Sequence, residues 1–198
     1  MSKRRSYKRR GGEFRDITTF IIATEGAKRE VQYFEALAAG QRRVKVRVIG
    51  AGDQNLSSPE QTLARAERQV TNMDPQPGDQ VWLVLDTDRW TNKQLMTVSR
   101  ACRDRAWGLT ISNPCFELWL YLHYADLPEG YTGSGQDLKR DLGELCQPGG
   151  YSPATALPGL PRAIERAKAL DAQPDLRLPP AYVTQVYRLA VALEAFIE

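Results

Sequence analysis

The chain has 198 residues, 42% of them apolar, with 27 Lys or Arg against 24 Asp or Glu, one His and three Cys. That length holds one domain of ordinary size plus a small appendage, with enough apolar content for a real core. Cys102, Cys115 and Cys146 are too few and scattered for a disulfide framework, no Cys-x-x-Cys or His pair points to zinc, and no apolar stretch nears the ~20 residues of a membrane span; a cytoplasmic protein is expected.

Charge is unevenly placed. Residues 1–14 read as a flexible basic arm; within residues 1–10, Lys3, Arg4, Arg5, Lys8, Arg9 and Arg10 supply six of the 27 basic residues and there is no acid, leaving 21 basic against 24 acidic residues over 11–198. Without an apolar stretch it is no signal peptide. It is either a nucleic-acid contact that neutralises several phosphates or a solubilising terminus.

From Ile17 the chain alternates in type. Ile17–Thr24 is an apolar, β-branched run ending at Glu25-Gly26, and Ala27–Ala39 carries a helical stripe of Val31, Phe34, Leu37 and Ala38, closed by Gly40. Val44, Val46 and Val48 alternate with Lys45 and Arg47, which predicts a half-exposed strand at the periphery of a sheet. Ser58-Pro59 with Glu60 and Gln61 reads as a helix start, continued by Leu63, Ala66, Val70 and Met73 to the breaker at Asp74–Gly78.

Val81–Leu85 is a continuous apolar run, the signature of a strand buried on both faces, and it stops at Asp86-Thr87-Asp88. Helix over Thr91–Asp104 and strand over Trp107–Ser112 complete a β-α-β-α-β-α-β order. That order predicts an α/β fold with a mainly parallel four-stranded sheet flanked by helices.

Asp-Thr-Asp at a strand end has two readings, a turn capped by its own carboxylates or a cation site. Glu25 stands at the equivalent end of the first strand. Parallel strands bring their C-terminal ends to one edge, so Glu25, Asp86 and Asp88 are expected to converge, and hard oxygen donors of that kind suit Mg²⁺ or Mn²⁺.

Ser112 to His123 is the densest local constellation. Asn113 reads as a helix N-cap with Pro114 as the first helical residue. Glu117 falls one position beyond the place of a capping-box acid, which Phe116 occupies. Its two readings are favourable contact with the helix dipole on a solvated face, or a fourth acid of the cation site. His123 follows Phe116 and Trp119 on the apolar stripe and is expected to be a satisfied, partly buried imidazole.

Beyond it, Pro128–Gly135 is rich in turn formers and Gln136–Leu145 is a short helix with Lys139 and Arg140 exposed. Pro161–Asp171 and Ala181–Ile197 read as amphipathic helices, the second striped by Val183, Val186, Ala190, Leu193 and Ile197. The expected organisation is a core over residues 15–125 and a mostly helical extension over 126–198, packed on the core. No Walker loop or Gly-x-Gly-x-x-Gly cradle is present, so ATP hydrolysis by this chain is not expected.

Thr24-Glu25-Gly26 with Glu30 and Tyr33, then Asp86-Thr87-Asp88, then Asn113-Pro114-Cys115-Phe116-Glu117-Leu118-Trp119 ending at His123, together resemble the RloB family, also called the AbiLii type, of bacterial phage-defence proteins with a Toprim-like domain. The resemblance covers roughly residues 15–198. It implies a Toprim-like Rossmannoid core that binds Mg²⁺ or Mn²⁺ for phosphodiester chemistry. By that analogy Glu25, Asp86 and Asp88 are metal ligands and Glu117 joins them as an active-site acid. It further implies a nuclease acting on DNA or RNA, tRNA included, in anti-phage defence. The alternative is a partner-dependent subunit or nucleic-acid-binding module of an ATPase–nuclease complex, inactive without an AAA- or ABC-type ATPase.

Overall fold

The structure is a computed structural model and describes residues 17–52 and 57–197. The six basic residues of the N-terminal arm lie outside the described residues.

Strands β1 (Thr18–Thr24), β2 (Val44–Ile49), β3 (Gln80–Asp86) and β4 (Gly108–Asn113) pair in parallel, and the order across the sheet is β2-β1-β3-β4-β5. The fifth strand, β5 (Val183–Thr184), is antiparallel to β4. The sheet is therefore five-stranded and mixed, not four-stranded. β2 is an edge strand, as its alternation of Val with Lys and Arg predicts.

Helices cover both faces because strand residues alternate between them. Phe20 and Ile22 of β1 and Val84 of β3 point to one side. There they join α1 (Arg29–Leu37), α4 (Glu117–Tyr121), α5 (Gly135–Leu145), α7 (Leu160–Leu170) and α8 (Val186–Glu194) in one apolar cluster that includes Phe34, Trp119, Leu138, Ile164 and Leu189. Ala23 of β1 with Leu83 and Leu85 of β3 point to the other side, against Ala66 of α2 (Pro59–Met73) and Leu95, Val98 and Cys102 of α3 (Asn92–Asp104). A four-residue helix α6 (Pro153–Ala156) and a 3₁₀ turn lead into α7.

Local signals set several boundaries. Ser58 and Thr91 each close a capping box, with Gln61 and Gln94, and Pro59 takes the first position of α2. Two expectations are corrected. Ala181–Thr184 is not helical: Tyr182 has φ +59°, and β-branched Val183 and Thr184 pair with Asn113 and Ser112 instead, so α8 begins only at Val186. Its stripe residues Val186, Ala190 and Leu193 are buried in this chain's own core.

The second correction lies after β4. Asn113 is the last residue of that strand, its Nδ2 donates to Pro179 O at 3.1 Å, and the Asn113–Pro114 peptide is cis. α4 starts at Glu117, after Phe116. Pro114 O is instead an acceptor for the backbone N–H groups of Thr87 (3.1 Å) and Asp88 (3.2 Å), so the segment read as a helix start serves as the anchor of the Asp-Thr-Asp turn.

Candidate functional site

The chain passes from β1 outward to β2 and then crosses to β3 on the other side of β1, so the direction of winding reverses between β1 and β3. A crevice opens at such a point, outside the C-terminal ends of the strands. Glu25 follows β1 and Asp86 ends β3, one on each side of it. Glu25 N donates to Val84 O (3.1 Å), extending the β1–β3 pairing by one residue, and Glu25 Oε2 accepts from Asp86 N at 3.1 Å.

Five carboxylates line one cavity of about 350 Å³ at this edge: Glu25, Glu30, Asp86, Asp88 and Glu117. All four sequence-predicted acids are therefore brought together. Glu25, Glu30 and Glu117 are 7–9% exposed, Asp86 is half-buried on the cavity floor and Asp88 is exposed at its mouth. Among the described residues neither aspartate side chain hydrogen-bonds to the turn that carries it, because carbonyls of Ser112 and Pro114 hold that turn. Nor is Glu117 on a solvated face. It accepts from Arg29 Nη1 at 2.5 Å across the cavity wall.

Crowded acids resist ionisation. Burial first, and then the charges of Asp88 and Glu30, raise Glu25 to about 7 against the opposing hydrogen bond from Asp86 N; the indole of Trp90 lies beside this carboxylate without closing a well-formed bond. Burial and then the charges of Glu25, Glu30, Glu117 and Asp88 push Asp86 well above the usual carboxylate range. Glu30 is raised chiefly by burial.

Glu30 was not among the residues assigned to the site from sequence, although it stands in the first turn of the helix after β1 and so at the same edge. Its carboxyl sits over Gly26: a Cβ built there would fall 2.1 Å from Glu30 Oε2. A side chain at position 26 would have to displace the end of the Glu30 side chain. Three cations share the cavity lining, Arg29 from α1, Arg89 from the turn after β3, and Lys139 from α5. The first two follow predicted acids closely in sequence. No local signal marks Lys139, whose placement depends on how α5 docks.

His123 is buried, with Nε2 3.0 Å from Tyr33 Oη and Nδ1 2.9 Å from Trp119 O, so both ring nitrogens are satisfied in the core as expected. A larger cavity of about 960 Å³ lies at the opposite edge of the sheet, beside Trp82 and Trp107. Asp79 in its lining accepts from the backbone N–H groups of Thr19 and Gln76.

With this arrangement established, the profile of the RloB-like protein family matches residues 20–193, nearly the whole chain. The chain belongs to the RloB-like family. All four predicted acids fall inside the matched span. No curated protein and no solved structure is significantly similar to the chain. Among the described residues no helix is long and apolar enough to cross a membrane.

The donor set of this RloB-like chain is all carboxylate oxygen, the chemistry that a hard divalent cation matches. Among the described residues no three His, Cys, Asp or Glu side chains stand in ligating geometry.

Proposed function

We propose that this RloB-like chain is a Mg²⁺- or Mn²⁺-dependent nuclease with a Toprim-like core, hydrolysing phosphodiesters of DNA or RNA, tRNA included, as an effector of anti-phage defence. The observation that carries this reading is the convergence of five carboxylates, from the ends of β1 and β3 and the starts of α1 and α4, on one cavity at the reversal point of the sheet.

Glu25, Asp86 and Asp88 would hold the ion. When bound, such a cation polarises a phosphoryl oxygen and acidifies a water molecule. The chain's own residues supply the remainder. Glu25 or Glu117 would accept a proton from an attacking water, Glu25 where Asp86 and Asp88 alone hold the ion. Glu117, braced by Arg29, stands at the cavity wall. Buried Leu85, Phe116 and Leu118 pack the surrounding backbone into the core.

The test is cleavage of plasmid, single-stranded DNA and tRNA with Mg²⁺ or Mn²⁺, with and without an AAA- or ABC-type ATPase partner. Asp86→Asn and Glu25→Gln should each reduce turnover by more than the roughly 10–100-fold that losing an outer-shell partner costs. Cleavage indifferent to both substitutions rules out this site. Activity seen only with the ATPase present assigns the chain as a partner-dependent subunit.

A further inference from the structure

We infer that Lys139 is a positioning residue that binds a backbone phosphate of a polynucleotide and seats it over the carboxylate cavity. The inference rests on the nucleic-acid reading above and adds to it a residue from outside the β-α-β core.

The placement of α5 carries the argument. Ser134 caps the helix through Asp137 N, and Leu138 and Leu142 are buried, fixing its rotation about its own axis. Gly135 lies in its first turn against the site: a Cβ there would be 3.3 Å from Cys115 Sγ and 3.6 Å from Asp88 Oδ2. Lys139 is four residues on, directly above Gly135 on the same face, and lines the cavity that holds Asp88 and Glu117. The helix backbone is thus brought against the acid cluster at one turn, and a cation is presented over the cluster at the next.

Its neighbour behaves differently. Arg140 points along another face and is held by Asp137 (2.9 Å) and Asp141 (2.8 Å). Arg29 is occupied by Glu117. Lys139 and Arg89, by contrast, form no ion pair among the described residues, although acids lie close by. A long, flexible ammonium left unpaired at the rim of an anionic cavity is suited to an incoming anion that must lie beside the carboxylates without touching them. A phosphodiester is such an anion, and Arg89 lines the same cavity.

The experiment is equilibrium binding of a fluorescein-labelled single-stranded oligonucleotide to the full chain in metal-free buffer, at several salt concentrations. Lys139→Met should weaken binding roughly fivefold and lower the slope of log K against log salt by ~0.7, the loss of one phosphate contact on a single strand. Lys139→Arg should restore both, and Arg140→Met should leave both as in wild type. A wild-type slope in Lys139→Met, or an equal loss in Arg140→Met, overturns the assignment. Because the readout needs no turnover, a Lys139-dependent slope in a protein that never cleaves supports this inference while removing the nuclease reading. Absence of oligonucleotide binding by wild type overturns both.

Discussion

Glu117 is buried in the cavity wall and its cationic partner Arg29 is 44% exposed, so the pair is neither a surface bridge nor a fully desolvated one. Removing Arg29 strands a carboxylate that keeps its desolvation cost. Arg29→Ala should destabilise the fold by about 1–2 kcal/mol, less than a fully buried pair would lose, and adding Glu117→Gln should recover part of it in urea melts. An additive double mutant would show that the two side chains do not interact. His123 makes a different prediction. Burial holds its imidazole down to about 4 despite the bond to Trp119 O, against an ordinary value of 6.5. Its folded value lies below its unfolded one, so the stability is fully present above about 6.5. It is lost as pH falls toward 4, by roughly 3 kcal/mol in all. His123 is the single histidine of the chain, and its ring proton resonances should therefore not titrate between about pH 8 and 5 in ¹H NMR. A midpoint near 6.5 would refute the buried, neutral assignment.

Elements meet through close contacts that no composition reveals. Gly159, just before α7, lies against the C-terminal end of α4, where a Cβ would come within 2.2 Å of His123 O. That oxygen belongs to the backbone and cannot swing away. Gly159→Ala should thus cost about 1–3 kcal/mol, read as a shift of the denaturation midpoint with unchanged m-value; a neutral outcome would mean that α4 and α7 can slide apart. The same scale explains the two corrected segments. Asn113-Pro114 has the residues of a helix start, yet strand pairing to Val183 and the acceptor role of Pro114 O toward Thr87 and Asp88 claim it first. Ala181–Thr184 continues the apolar period of α8, but the positive φ of Tyr182 breaks it and two β-branched residues close the sheet.

At the scale of the whole molecule, the cavity gathers five carboxyl groups against three cations, of which Arg29 is the one that is ion-paired among the described residues. A divalent ion that binds the folded chain and not the unfolded one stabilises by mass action, about 4 kcal/mol at a thousandfold excess over its dissociation constant. Mn²⁺ should accordingly raise the melting temperature of wild type by several degrees, chelation should reverse it, and Asp86→Asn should abolish the shift; equal shifts in both proteins would place the ion elsewhere. The alternation of apolar runs and stripes was enough to specify the parallel α/β core, the edge position of β2, and the meeting of Glu25 with Asp86 and Asp88, because parallel strands share one edge by construction. Glu117 entered through its local motif and His123 through its apolar period. The tertiary structure alone decided the fifth strand, the burial of the α8 stripe, the Arg29–Glu117 pair and the arrival of Lys139. Each depends on contacts between residues far apart in the chain, Asn113 with Val183 or Gly135 with Asp88, and the energy of such contacts is set by packing geometry that neither period nor propensity encodes.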